Sequence, residues 1–571
     1  MSQVSTGGKH EAGVVSTPLH AYPRRWFALA IIAAAQLMVV LDATVVNVAL
    51  PHAKADLGIS DANQQWVVTA YTLTFGGLLL LGGRIADYWG RKRTFVVGII
   101  GFALASALGG AAWDDTSLFL ARGLQGVFGA LLAPASLALL SVLFVDAKER
   151  ARAFGVYGAI AGGGAALGLV LGGVLTEYAN WRWCLLVNIP VAVIAIALAL
   201  PIVPESRAHG NTKYDIPGAV LATLGLSLLV YGFTKAGETD AQLRLKYGWD
   251  SPVTLGFIGV AVLLLALFVF VEARIRNPLL PLRILAHRTR GGAYLSSTLI
   301  GAGFIGAIFF VSLYFQLVLG YSPLKSGVHS LPVSVGVVVA AGIASGLLPR
   351  LGPKPIMAFG GVVAAIGMIM LTRIGIDTSY ATHVLPAMLI LGFGLGCTFV
   401  PLGNIALVGV DEHDAGAASA VVNASQQVGG SLGTALLNTV AITAATAYGR
   451  DHLPKSPDPK ALDLLRAESM VHGYVTAFWW GSALLVVAAI VVIVFIKASK
   501  RTSRPRAPRS TWAEACGARR IPRRRRSPAG TRLPTLHRGT RPTHEVRPAA
   551  NPPRAGRSAA ARPATSPGGP R

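Results

Sequence analysis

Charge is scarce in this chain. Only 13% of its 571 residues are Asp, Glu, Lys or Arg, against about a quarter in a typical soluble domain. Hydrophobic residues make up 53%, a balance that excludes a soluble globular protein and implies an integral membrane one. Cysteine is nearly absent. Cys184 and Cys397 fall in apolar stretches and Cys516 lies near the C-terminus, with no spacing that suggests a metal site or a disulfide framework. There is no phosphate-binding loop of the form G-x4-G-K-[ST], which disfavours ATP hydrolysis by this chain and points to an ion gradient as the energy source. Nucleophilic triads and metal-ligand clusters of convincing spacing are also missing, so no enzyme activity, cofactor or metal is expected.

Long apolar runs stand in place of what is missing. A bilayer core of roughly 30 Å needs about 20 predominantly apolar residues per helix. Fourteen such runs can be counted, at about 26–50, 64–83, 94–113, 117–145, 151–176, 182–203, 216–235, 252–273, 291–320, 325–349, 354–375, 383–410, 413–447 and 473–497. Arg24 and Arg25 precede the first, but no small-residue cleavage site follows it, so it reads as a retained helix and not a signal peptide. Basic residues beside membrane spans tend to stay cytoplasmic. With the N-terminus inside, the inner connections carry Arg84, Arg91, Lys92, Arg93, Lys148, Arg150, Arg152, Arg274, Arg276, Arg283, Arg288 and Arg290, whereas the outer short loops carry few bases. Both termini are therefore expected in the cytoplasm. The acidic stretch Asp411 to Asp414, predicted inside, and the four bases of 449–472, predicted as an outer loop, fit this less well.

The formal net charge of +25 is concentrated at one end, because residues 501–571 hold 18 Arg, no Lys and only Glu514 and Glu545. Rich in proline and without a periodic apolar face, that tail should be disordered and dispensable. Contact with anionic lipid is its alternative role, and no specific nucleic-acid partner is expected.

One carboxylate breaks the first apolar run: Asp42, in "MVVLDATVVNVALP" over 38–51. A charge at the bilayer centre is costly, so such an aspartate faces a cavity or a partner. Arg122, in the fourth run, lies at a comparable depth, roughly 8 Å against roughly 12 Å when counted at about 1.5 Å per residue. No other carboxylate is clearly mid-span, since Asp146, Glu177 and Glu272 lie near span ends. A weak internal repeat is also visible: "GRIADYWGRKR" (83–93) follows the second run and "SGLLPRLGPKP" (345–355) the tenth. Aligning them gives six spans, two extra spans and six more, a plan of inverted or parallel halves found in transporters.

The motifs resemble the major facilitator superfamily, and within it the fourteen-span drug:proton antiporters. "LDATVVNVALP" (41–51) is similar to that group's first-helix signature, and "GRIADYWGRKR" to the superfamily motif G-x-L-A-D-x-x-G-R-K. "RGLQG" (122–126) resembles the fourth-helix R-x-x-Q-G motif, which adds Gln125 to the candidate site. The antiporter pattern G-x8-G-x3-G-P-x2-G-G falls on Gly155, Gly164, Gly168, Gly172 and Gly173, with Leu169 where the family has proline. "WRWCLLVNIP" (181–190), "LYFQLVLGYSP" (313–323) and "GAASAVVNASQQVGGSLGTA" (416–435) extend the match over about 24–497, with Gln426 in place of an expected arginine.

The resemblance implies an all-α polytopic protein of the cytoplasmic (inner) membrane, with a disordered N-terminus (1–23) and a six-helix bundle over 24–203. Two extra helices with linkers follow over 204–290, then a second six-helix bundle over 291–497 and a disordered tail over 498–571. Its implied activity is proton-coupled export of lipophilic drugs or natural products, by a monomer whose partners are a small lipophilic or cationic substrate, protons and membrane lipids. Burial disfavours the charged form of a carboxylate and a nearby cation favours it, so a movement that alters solvent access or shifts Arg122 can load and release a proton on Asp42. A static Asp42–Arg122 pair that only joins helices is the competing reading. Export of one metabolite or self-made antibiotic, and a receptor on a degenerate transporter scaffold, are the alternatives at the level of function. With a single mid-span carboxylate, monocationic, neutral or weakly basic substrates are favoured over dications.

Other residues receive roles by type and position. Gly83 and Gly90 permit a tight turn, in which Asp87 can pair with Arg91 or Lys92 and bias a gate. Gly164, Gly168 and Gly172 recur every four residues and allow close helix approach, expected to seal the cavity between the halves. Asn47, Gln316, Asn423 and Gln427 either line a substrate path or make interhelical hydrogen bonds. Trp181 and Trp183 are expected as interface anchors, and His52 and His329 as solvated residues near outer ends.

Overall fold

The computed structural model describes residues 23–144, 146–207, 215–239, 245–275, 278–280, 282–406, 415–453 and 458–497. The expected disorder of the N-terminus and of the basic tail, and the acidic stretch Asp411 to Asp414, lie outside the described residues.

In chain order the helices are α1 (Arg25–Leu57), α2 (Trp66–Trp89), α3 (Arg91–Gly110), α4 (Asp115–Leu143), α5 (Ala147–Tyr178), α6 (Trp183–Leu186), α7 (Asn188–Ile202), α8 (Ile216–Ala236), α9 (Pro252–Arg274), α10 (Leu282–Ala286), α11 (Arg288–Leu313), α12 (Pro323–Leu351), α13 (Pro353–Leu371), α14 (Leu385–Ala406), α15 (Ala415–Asp451) and α16 (Pro459–Phe495). Single π-helical turns, Tyr314–Val318 and Tyr380–Val384, continue α11 and open α14. Among the described residues thirteen helices are long and apolar enough to cross a bilayer, α6 and α7 counting as one. The remaining apolar run of the sequence, 151–176, lies in α5.

Helices α1 to α7 pack into one bundle, chiefly through the pairs α2–α4, α3–α4 and α1–α5, and α11 to α16 into a second through α13–α14, α12–α14 and α11–α15. The extra pair α8–α9 leans on α2 and α15. Local chemistry marks the helix starts. Asp114 and Ser117 form a reciprocal capping box at α4, with Ser117 N–H donating to Asp114 at 2.7 Å, and Ser-Pro pairs open α9 and α12.

Two boundaries differ from the sequence reading. Helix α2 runs through Gly83 to Trp89, so the motif 83–93 is two helix ends joined at Gly90 and not a loop. Gly90 alone makes the turn, with φ +129°, a conformation that side-chain-bearing residues rarely adopt. Gly83 is helical, and a Cβ there would meet Pro134 at an ordinary 3.6 Å, so its expected turn role is not what the backbone uses. The residue at the matching position of the second repeat, Gly352, also has positive φ (80°) between α12 and α13. The predicted outer loop over 449–472 is mostly helix as well, because α15 continues to Asp451 and α16 starts at Pro459.

The bundles meet on the face opposite the N-terminus. Ser312 donates to the carbonyl of Asn47 at 2.8 Å and Gln316 to that of Val48 at 3.0 Å. Gln64 reaches Asn438 at 3.3 Å, the hydroxyls of Thr72 and Ser431 lie 2.6 Å apart, and Glu177 accepts from the amide of Leu324 at 2.9 Å. Between them the backbones touch: a Cβ on Gly173 would meet Leu324 Cα at 2.6 Å, and one on Gly327 would run into the carbonyl of Leu169.

Candidate functional site

Five helices converge on Asp42. The Asp42 side chain, on α1, is 1% exposed, as is Arg122 on α4, and Gln125, one turn further along α4, is wholly buried. Arg122 Nη1 donates to Asp42 Oδ2 at 2.6 Å and to Gln125 Oε1 at 2.7 Å, while Gln125 Nε2 donates to Asp42 Oδ1 at 2.9 Å. The spacing R-x-x-Q puts both donors on one face of α4, three residues apart. The three residues singled out from the sequence are therefore brought together.

The sequence reading missed the rest of the shell. Asn188, at the start of α7, donates to Asp42 Oδ1 at 2.9 Å, and Ser106 of α3 accepts from Gln125 at 2.6 Å and from Asn188 at 3.2 Å. On α2, the carbonyl of Val67 accepts from Arg122 Nε at 2.9 Å, and the Tyr71 ring lies 4.6 Å from the guanidinium carbon. Asn188 belongs to the "WRWCLLVNIP" motif, where a polar residue directly before an apolar helix was the available signal. Ser106 and Tyr71 carried none, because only the packing of α2 and α3 turns them inward. Asp42 thus accepts three hydrogen bonds and loses all contact with solvent. Beyond Arg122, a small space is lined by Val46, Leu50, Val67, Leu118, Cys184 and Leu185.

The motif at the α2–α3 junction is a second cluster. Asp87 pairs with Arg91 at 2.9 Å, one of the partners expected. Lys92 turns away, and its Nζ donates to the Leu200 carbonyl at 2.6 Å. The carboxylate of Glu205, beyond α7, accepts from the amides of Lys92 (3.1 Å) and Arg93 (3.3 Å), capping α3 from outside the motif. A Cβ on Gly90 would lie 2.8 Å from that carboxylate, so close approach adds to backbone conformation in requiring glycine.

The glycines of α5 divide by face. A Cβ on Gly164 would be 3.0 Å from Val40, one on Gly172 would be 2.9 Å from the Val45 carbonyl, and one on Gly168 would clash with Thr44. That stripe packs α5 against α1 within its own bundle, which corrects the expectation that it seals the two halves. Gly173 and Leu169, on the adjacent face, make the contact with α12. Gly155 is exposed and has nothing within 4 Å of an added Cβ, so it needs no close approach.

Asn47 and Gln316 sit in the seam between α1 and α11. Gln427 packs on α2, its Cβ 2.9 Å from where a Cβ on Gly76 would be. Asn423, one turn before it, is exposed. Trp181 is not an interface anchor: it is buried, with its indole N–H on Asp56 at 3.0 Å, whereas Trp183 is half exposed. His329 is not simply solvated either, since it lies among Tyr380, Tyr321 and Phe315 with ring centroids at 4.3, 5.1 and 6.3 Å.

The chain resembles known proteins in family, sequence and fold. The family model described as Major Facilitator Superfamily matches residues 32–434. A puromycin resistance protein of Streptomyces alboniger is 49% identical over 478 residues, covering 83% of this chain and 92% of the relative. The cephamycin export protein of Amycolatopsis lactamdurans is 38% identical over 418 residues, covering 72% of this chain and 84% of the relative. Among solved structures, a bacterial homologue of the human lysosomal transporter Spinster, in an inward-facing and occupied conformation, superposes with a TM-score of 0.58 at 15% identity, covering 85% of this chain and 99% of that one.

Proposed function

Since this chain belongs to the Major Facilitator Superfamily, we propose that it exports lipophilic drugs or natural products across the cytoplasmic membrane in exchange for protons. It is a multi-pass protein of that membrane. The observation that carries the reading is the Asp42 shell: a carboxylate at mid-helix, sequestered from solvent, whose single cationic partner sits on a different helix.

Such a group stores a switch. While Arg122 and the two amides face it, the carboxylate is satisfied without a proton. When α1 and α4 shift relative to one another, those donors retreat, the buried charge becomes costly, and a proton from water is the least expensive replacement. Return of Arg122 expels that proton. Coupling to drug follows if the same shift opens and closes the path between the bundles. The seam on the face opposite the N-terminus supports such a cycle, and with the N-terminus in the cytoplasm that seam is the outer gate, here closed. Asp87, Arg91, Lys92 and Glu205, all at helix ends on the N-terminal face, are placed to hold the inner gate when it shuts. The chain acts as a monomer, with its substrate drawn from the membrane or the cytoplasm.

Puromycin is the first substrate to try, given the 49% identity to a resistance protein for that drug. The test is proton flux in inverted membrane vesicles, following dissipation of a preset pH gradient on addition of puromycin and other lipophilic compounds. Substrate-dependent proton release is expected from the unaltered protein and not from Asp42→Asn at matched expression. If the two respond alike, Asp42 is structural and the proton-exchange reading fails.

A further inference from the structure

A pair of carboxyls lies where the ends of the two extra helices come together, Asp215 before α8 and Glu272 at the end of α9. Asp215 caps α8, its Oδ1 accepting from the amide of Gly218 at 2.8 Å and its Oδ2 from the amide of Leu279 at 3.1 Å. Glu272, in the last turn of α9, accepts from the next amide, that of Leu280, at 3.1 Å through Oε2. Consecutive backbone amides thus draw the two carboxyls together, and they are 5% and 3% exposed. The remaining oxygen, Glu272 Oε1, is buried with no hydrogen-bond partner.

Among the described residues, the charged groups that act on Glu272 are Asp215, the cap of α8, and Arg84, from α2. Neither carboxyl makes an ion pair among the described residues. Arg84 instead donates from Nη1 to the Tyr88 hydroxyl at 3.4 Å and from Nη2 to the carbonyl of Pro278 at 3.5 Å, so it closes the same short segment from the other side. Two adjacent buried carboxylates repel one another, an arrangement in which one of the pair stays protonated. The two groups are not equivalent. Asp215 has both oxygens occupied by N–H donors, which suits a carboxylate. Glu272 has one oxygen with no donor, which suits O–H.

We propose that Glu272 and Asp215 hold one proton in common, with the proton on Glu272 Oε1 directed at Asp215, forming a protonation site separate from Asp42. The proton is the ligand, and water on the N-terminal face is its source. Binding it removes the repulsion between the carboxyls and keeps the α8–α9 pair docked beside the helix end that carries Asp87 and Arg91.

The test is an infrared difference titration of the full chain in liposomes, made in an Asp42→Asn background so that the central carboxyl contributes nothing. A protonated-carboxyl C=O band that disappears at alkaline pH is expected, and Glu272→Gln should remove it. Asp215→Asn should keep the band but shift its midpoint to lower pH, because the remaining carboxyl no longer has a negative neighbour. A titration unchanged by Glu272→Gln overturns the proposal, as does a midpoint unmoved by Asp215→Asn. Glu272→Gln keeps an oxygen for the Leu280 amide, so its fold is expected to survive. If it does not, the Asp215→Asn shift decides alone. The outcome is independent of whether Asp42 couples transport.

Discussion

At the scale of single residues, the two members of the buried pair do not answer removal alike. A carboxylate left without Arg122 can take up a proton, as it does in the proposed cycle, whereas a guanidinium left without Asp42 keeps its charge. Removal of one member of a buried pair costs about 3–5 kcal/mol. Asp42→Ala is therefore expected to lower the thermal stability of purified protein more than Arg122→Ala does, and the double variant should recover part of that loss. Equal melting temperatures for the two single variants would show that the stranded cation is not the costly group. Asn188→Ala tests the shell that the sequence did not reveal. It removes one of three donors to Asp42 without removing charge, and a hydrogen bond to a charged group contributes about 1.5–3 kcal/mol. Asn188→Ala should weaken substrate-driven proton release, and Asn188→Asp, which sets a second carboxylate beside Asp42, should abolish it.

At the scale of helices, two junctions set where the site residues end up. Gly90 joins α2 to α3 with positive φ and lies against Glu205, so Gly90→Ala combines backbone strain, about 1–3 kcal/mol at such positions, with a displaced cap. Loss of transport with retained expression is expected, and Glu205→Gln should reproduce it more mildly because the backbone is untouched. The start of α4 is the other junction, two turns before Arg122. The hydrogen bonds from Ser117 hold the Asp114 carboxyl below the ordinary carboxylate range. A lowered pKa in the folded state means that the cap stabilises fully above the ordinary value and is lost as pH falls through the lowered one. Asp114→Asn should accordingly flatten the acid limb of a stability–pH curve measured in detergent, and leave the neutral limb nearly unchanged.

For the whole molecule, the seam between the bundles is the feature that must open if the transporter cycles. Thr72 and Ser431 face each other across it with hydroxyls 2.6 Å apart. A Thr72→Cys/Ser431→Cys pair is expected to cross-link under oxidation and stop transport, with recovery on reduction, in a background where Cys184, Cys397 and Cys516 are replaced. Transport that continues after complete cross-linking would mean that this face does not open. Removal of 501–571 is expected to leave export unaltered, since the described fold and the match to the family both end before it.

Composition and apolar run length were enough to determine a polytopic helical membrane protein, because a bilayer forces every spanning segment to satisfy its own backbone and to be about 20 residues of apolar chain. The repeat was legible as well, and Gly90 and Gly352 show why: both junctions need a residue free to take positive φ. Asp42 and Arg122 stood out because ionisable groups are rare where water is absent, and Gln125 entered through the resemblance to the R-x-x-Q-G motif. What only the tertiary structure decided is which neutral groups share that site and which face of each helix meets which neighbour. Asn188, Ser106 and Tyr71 are ordinary residue types whose direction depends on how α2, α3 and α7 rotate when packed. The stripe Gly164–Gly168–Gly172 announces close approach but not its partner, which is Val40, Thr44 and Val45 of α1, because that contact is made across a long sequence separation. Glu272 looks like a span-end carboxylate in the chain, and is drawn to Asp215 because the segment 278–280 presents consecutive amides to the two of them.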